Sequence, residues 1–274
     1  MPYGPTHEQI EFDEYKKTHI DMVAIVIILL SVALTYTYAT NIIYPNEAQR
    51  LVLHDQIIRR EAPDPYNDRI LVPVTMQLMM SGLGRDRFSD IYTAYCLIAI
   101  MFSMTLMYRL WRIWFSQNIA TIGLLAYSLS YYASMHYHYF QPWSHLEPGL
   151  IAMSLLAVNK KRTWLIFVSI ALIIANRYCG ISPTRPISEY FALGIADWKS
   201  AVIAHVAFWH ITLLYALLGF RSAPRWLKYA GIYMIPMLLA FILFSRWRET
   251  RPLLSLMPVM IPYALSEIRS ICGG

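Results

Sequence analysis

Charge is the first thing this sequence has little of: only 15% of its 274 residues are Asp, Glu, Lys or Arg, where an ordinary soluble domain carries roughly 25%. That scarcity excludes a soluble globular domain and any large extramembrane domain. Cysteine is scarce too. Cys96, Cys179 and Cys272 are odd in number and far apart, with no C-x-x-C pair, which excludes a disulfide framework and a cysteine zinc site. No glycine-rich phosphate loop is present, so a nucleotide site is not expected. The first twenty residues hold Glu8, Glu11, Asp13 and Glu14 against Lys16 and Lys17, unlike the basic start of a cleavable signal peptide. What the chain has instead is apolar sequence, 57% of its residues, gathered in long runs with a mean hydropathy of +0.40. The net charge of +6 is modest on such a chain and does not point to nucleic acid.

A bilayer core of about 30 Å takes roughly 20 helical residues to cross, so the expected fold is all-α: a polytopic helical bundle of about eight transmembrane helices. Residues 1–20 read as a polar tail and residues 21–274 as a single membrane domain. Met22 to Ile43 is the first span, stopped at Tyr44-Pro45. Residues 45–88 form a polar excursion. Its apolar Leu51, Val52, Ile57 and Ile58 recur at helical spacing, which predicts helices lying on the membrane surface. Pro63-Asp64-Pro65 punctuates it, and Ile70 to Met80, interrupted by Pro73, fits a short interfacial or re-entrant helix. Further spans are expected at Ile91–Tyr108, Ile119–Ala133, Leu150–Val158, Trp164–Ala175, Ala201–Gly219, Tyr229–Phe244 and Leu253–Leu265. Several are shorter than a crossing, and flanking Trp and Tyr supply interfacial ends.

Three connections carry positive charge without acids: Arg109-Leu110-Trp111-Arg112, Lys160-Lys161-Arg162, and Arg221 through Arg225 to Lys228. With eight spans they share one side, which the positive-inside rule makes cytoplasmic together with both termini. Bacterial inner membrane and endoplasmic reticulum both fit. The opposite loops hold most carboxylates, the histidines and arginines beside acids, which implies a polar site on the non-cytoplasmic face.

On that face, Glu47 follows the first span within a few residues, where a carboxylate at the membrane surface can accept a proton, and Asp55 lies two helical turns further on. Arg50 and Arg59 are expected as their ion-pair partners or as lipid-headgroup contacts. Arg69 directly precedes an apolar helix, where a guanidinium can hold a phosphate while its stem lies in lipid. Arg177 and Arg251 also sit at span ends on the same inferred face. His136, His138, His145 and Glu147 have ligand chemistry suited to a divalent metal, but their spacing matches no zinc motif, so no metal or other cofactor is expected. His145 and Glu147, bracketed by Pro142 and Pro148, instead suit contact with a polar substrate. Glu249 and Arg251 open a last span containing Pro252, Pro258 and Pro262, an irregular helix whose backbone neighbours or a wet cavity must satisfy.

An anchor helix, a first external loop that opens on a carboxylate, and a bundle of short spans resemble the GT-C class of membrane glycosyltransferases. Asn46-Glu47-Ala48-Gln49-Arg50 is similar to the Asp-Glu pair plus arginine after the first span of the protein mannosyltransferase and aminoarabinose transferase branch, with Asn46 in place of the aspartate. The resemblance implies inverting transfer of a sugar from a polyprenyl-phosphate donor to an acceptor on the external face. Glu47, or Asp55 if the motif has shifted, would be the base. Arg69, Arg177 and Arg251 would hold the departing phosphate, and His145, Glu147 and Glu249 would line the substrate site. The partners implied are the lipid-linked donor and membrane lipids, not nucleic acid. Two other classes fit the composition: a transporter or lipid flippase, for which His205 and His210 are the only mid-span ionisable candidates, and a non-catalytic subunit of a membrane complex.

Overall fold

The computed structural model describes residues 7–62, 66, 71–134, 140–177, 195–196, 198–209, 212–232, 235, 239 and 251–271, with most of their side chains from Met22 onward. Every regular element among them is helical. Two helical runs, Met22–Arg59 and Arg85–Trp111, are long and apolar enough to cross a membrane.

Helix α1 runs His7–Tyr38 and so extends the first apolar stretch back into the polar tail. Its apolar residues form two stripes. Val23, Ile27, Leu34 and Tyr38 are buried against the rest of the bundle, whereas Ile25, Leu29, Val32 and Tyr36 are exposed. An exposed apolar stripe of this length is costly in water and favourable against lipid tails. The same two-sidedness recurs in Trp164, Phe167 and Ile174 and again in Val202, Ile203 and Val206.

At the end of α1 the backbone does not stop at proline as expected but tightens through a π turn, Ala39–Ile43, and a 3₁₀ turn, Tyr44–Asn46, straight into α2, Glu47–Arg59. Pro45 is tolerated because it stands in the first turn of that short 3₁₀ piece. Helix α3, Leu71–Leu83, is 13 residues long, too short to cross. Pro73 does not break it, since the third residue of a helix has no intrahelical N–H bond to lose.

Helix α4, Phe88–Trp111, is the central strut, 24 residues or about 36 Å long. Helix α5, Gln117–Ser134, returns beside it. A buried 3₁₀ turn, Pro142–His145, leads to α6, Glu147–Asn159. Helix α7, Thr163–Arg177, pairs with α6, with Ser154 Oγ donating to Ser169 Oγ at 2.7 Å. Helices α8, Trp198–Trp209, α9, Thr212–Gly219, and α10, Arg225–Ile232, follow. A second 3₁₀ segment, Arg251–Leu256, opens α11, Met257–Ile271. The expected span Ala201–Gly219 is helical wherever it is described, residues 210–211 lying outside the described residues, as does much of Tyr229–Phe244.

Helix α11 carries Pro262 in its interior, which leaves the carbonyl four residues back, on Pro258, without its helical donor. The indole Nε1 of Trp111, at the end of α4, donates to that oxygen at 3.3 Å. A neighbour thus satisfies the freed group, as the proline content of this span requires. Ser266 Oγ donates to the Pro262 carbonyl at 2.9 Å, and Tyr263 OH donates to Leu227 O on α10 at 2.6 Å. Helix α9 closes on α11 so tightly that a Cβ on Gly219 would collide with the Tyr263 carbonyl.

Two outcomes follow for stability in detergent. Trp111→Phe should cost about 1–3 kcal/mol through the orphaned carbonyl. The cost should shrink when Pro262→Ala restores an N–H to it, an interaction read from a double-mutant cycle of unfolding midpoints. Gly219→Ala should lower the midpoint more than Gly82→Ala, since nothing lies within 4 Å of a Cβ at Gly82.

Candidate functional site

The bundle interior contains non-helical backbone, an arrangement tolerated at membrane depth only where protein or a wet cavity surrounds it. Phe140 packs with Phe88 and Tyr92 in the first turns of α4, at ring centroid distances of 6.3 and 5.1 Å. Five residues later the carbonyl of His145 accepts from Ser103 Oγ at 2.7 Å. From Tyr92 to Ser103 is a rise of roughly 16 Å along α4, so the segment dives into the bundle before α6 begins. This explains why α6 is only 13 residues long: its N-terminus lies midway along α4.

Several backbone groups of the diving segment and of the start of α6 have partners on other helices or within the turn. Gln141 N donates to Tyr38 OH at 3.1 Å, Asn176 Nδ2 donates to Trp143 O at 3.0 Å, and Gly149 N donates to Ser103 Oγ at 3.1 Å. Ser144 N and Leu146 N donate to Gln141 O and Trp143 O at 3.2 and 3.3 Å. Ser103 is the hub, giving its proton to the His145 carbonyl and accepting one from the Gly149 amide in the first turn of α6.

His145, 0% exposed, lies between two tyrosines. Tyr131 OH bonds to its Nδ1, and the Tyr38 ring meets it edge-on at 4.4 Å. Glu147, 4% exposed, occupies the first turn of α6, where a carboxylate opposes the positive end of the helix dipole. Both residues have interaction partners. Their expected role in substrate contact therefore requires access from within the bundle rather than from an open surface loop.

The backbone gathers further candidates here. Arg177 is the last residue of α7 and directly follows Asn176, whose amide holds Trp143. Arg251 opens the second 3₁₀ segment, and that segment packs against the Pro142–His145 turn. Leu253 to Leu256 are buried there. Two irregular segments thus meet in the core, one leading to His145 and Glu147 and the other headed by Arg251. The side chains of Arg177 and Arg251, and all of Arg69, Glu249, His136 and His138, lie outside the described residues. Among the described residues no group of three His, Cys, Asp or Glu could hold a metal.

Glu47 and Asp55 stand on α2, beyond the apolar part of the first helical run. Glu47 is exposed in the first turn. Asp55 is bound by Arg85, whose Nη2 lies 2.6 Å from both carboxylate oxygens. The partner is thus neither of the arginines expected from spacing. Arg50 instead lies over the Phe140 ring, 5.5 Å from its centroid, at the mouth of the diving segment. Composition carried no sign of Arg85 in this role, because it is thirty positions away along the chain.

His54, which sequence reasoning passed over, fastens α2 to the bundle. Its Nε2 donates to Gln77 Oε1 on α3 at 3.1 Å, and Tyr92 OH on α4 donates to its Nδ1 at 2.8 Å. Burial lowers its pKa from 6.5, and Arg85 pushes the same way, against the Gln77 hydrogen bond and Asp55, which raise it. The unfolded chain therefore binds a proton on this ring at a higher pH than the folded one. The stabilisation is complete above pH 6.5 and is lost as pH falls below it toward the depressed folded value.

Thermal unfolding should accordingly show a stability loss between pH 7.5 and pH 5 that His54→Gln reduces. Ser103→Ala should destabilise by about 2–4 kcal/mol, because a carbonyl and an amide both lose their buried partner. Hydrogen exchange should rise selectively at Gly149. Comparison of the chain with family models, curated proteins and solved structures gave no match.

Proposed function

We propose that this protein is a polytopic membrane glycosyltransferase that moves a sugar from a polyprenyl-phosphate donor to an acceptor hydroxyl on the non-cytoplasmic face, with inversion. In this reading about eight helical segments traverse or enter the bilayer, the acid-free basic turns face the cytoplasm, and α2 with α3 lies on the external surface. Glu47 is the general base. The observation that carries the assignment is the state of the two candidate carboxylates: Asp55 is neutralised by Arg85, whereas Glu47 is exposed at the start of α2, directly beyond the first apolar helix, with no ion pair among the described residues.

A lipid phosphate is already a good leaving group, so the reaction needs chiefly one base and cations to receive the departing charge. Arg69, Arg177 and Arg251 supply those cations. The convergence of α7's end and the Arg251–Leu256 segment on the Pro142–His145 turn supports the last two. Glu249 joins them on the sugar or acceptor side, and His145 with Glu147 forms the inner wall. Asp55, through Arg85, holds α2 in position.

The test is transfer of radiolabelled sugar by purified protein from a panel of polyprenyl-phosphate donors. Glu47→Gln should reduce turnover by about 10²- to 10⁴-fold with donor binding kept. Asp55→Asn should cost no more than several-fold, in line with an exposed pair worth about 1 kcal/mol or less. Loss of turnover in Asp55→Asn with Glu47→Gln still active would move the base to Asp55, and equal loss in both would overturn the assignment of Glu47 as the single base. Neither turnover nor donor binding in folded wild-type protein would replace this reading with the transporter or the non-catalytic subunit.

A further inference from the structure

The opposite end of the bundle contains a cleft of about 230 Å³ lined by Trp114, Phe115, Ser222, Pro224, Ser266, Arg269 and Ser270. Three parts of the chain build it: the turn after α4, the turn before α10 and the last turns of α11. Its chemistry is one-sided. The end of α4 and the turn after it carry Arg109 and Arg112, and the turn before α10 with the first turn of α10 carries Arg221, Arg225 and Lys228, with no acid in either stretch. Glu267 is on α11 but does not line the cleft.

The cations are held rather than loose. Arg112 Nη1 donates to Phe115 O at 2.6 Å, Lys228 Nζ to Arg221 O at 2.7 Å, and Arg269 Nη1 to Trp114 O at 3.1 Å. That last bond uses one of the five N–H donors of a guanidinium and holds Arg269 beside the cleft wall. Aromatic residues at an apolar boundary, exposed serine hydroxyl and a positioned arginine form a combination that suits an anion with an apolar tail.

We propose that this cleft binds the phosphate headgroup of an anionic phospholipid, with Arg269 and Ser270 on the phosphate and Trp114 and Phe115 beside the glycerol and upper acyl chain. Charge complementarity selects this occupant, since the two stretches that flank the cleft carry five further cations and no acid, against the single Glu267 of α11. The site is separate from the Pro142–Glu147 segment and does not rest on the glycosyltransferase reading.

Delipidated full-length protein in neutral detergent would be titrated with phosphatidylglycerol and read by native mass spectrometry. Wild-type protein should retain one lipid. Arg269→Gln and Ser270→Asp should each weaken retention about fivefold or more, whereas Lys160→Gln, which removes the same single charge from the α6–α7 turn, should leave it unchanged. Ser270 is exposed, so its variant reports on binding even if loss of the Arg269 bond to Trp114 unfolds the other. Equal weakening by Lys160→Gln, unaltered binding by Ser270→Asp, or equal retention of phosphatidylcholine would overturn the proposal. Displacement of the lipid by an equal concentration of inorganic phosphate would overturn it in favour of a free-anion site.

Discussion

The hydrogen bonds through Ser103 are the constraint on which the rest of the arrangement depends. A helix satisfies its own backbone and can be placed in an apolar surrounding without help; the segment from Phe140 to Leu146 cannot. It enters the bundle as irregular chain because Ser103, Tyr38 and Asn176, on three different helices, meet its carbonyls and amides. Fixing those three contacts fixes how α1, α4 and α7 are disposed about the loop, and hence where α6 can begin. Gly149 belongs to the same constraint: a Cβ there would lie 2.7 Å from Ser103 Oγ and 2.8 Å from Phe102, so the close approach that makes the hydrogen bond also demands glycine.

A second irregular region uses the same solution with different chemistry. Pro262 removes one donor from α11, and an indole from α4 replaces it. Helix α4 therefore serves both breaks, with Ser103 in its middle and Trp111 at its end. An exposed lipid-facing helix has no reason to carry such donors on one face. The division of α4 into a buried face bearing Ser103, Met107 and Trp111 and an outer face bearing Ile98 reflects this.

Much of the architecture was legible in the sequence. Apolar runs and their proline and polar boundaries marked where helices lie, because helix formation in an apolar chain depends on local composition. The prolines of the last span announced a backbone that neighbours must satisfy. The identity of those neighbours was not legible: Trp111 is 147 positions from Pro258, and nothing local in either stretch specifies the pairing. The same holds for Asp55, whose spacing pointed to arginines on its own helix. A helical neighbour competes with whatever tertiary packing brings closer, and here Arg85, in the turn before α4, reaches both carboxylate oxygens. Pro73 misled in the other direction. Its effect depends on its position within the helix, and a start at Leu71 makes it harmless.

Of the candidate site, the sequence offers a set of residues and not a shape. His145 and Glu147 stood out because two prolines bracket them, and those prolines stand in the first turns of the 3₁₀ segment and of α6. What the spacing did not convey is that the turn lies inside the bundle, since depth is set by partners on α1, α4 and α7. That burial changes the chemistry available. A carboxylate and an imidazole in a low-dielectric interior respond to neighbouring dipoles far more strongly than at a surface. The two stand at the start of a helix whose positive end faces inward. A polar group that reached this point would meet oriented backbone amides, and broken helices are used in this way where membrane proteins bind anionic groups. The surface carboxylate on α2 and the inner turn are linked through Phe140, which touches Tyr92 on α4 and lies beneath Arg50 one turn from Glu47.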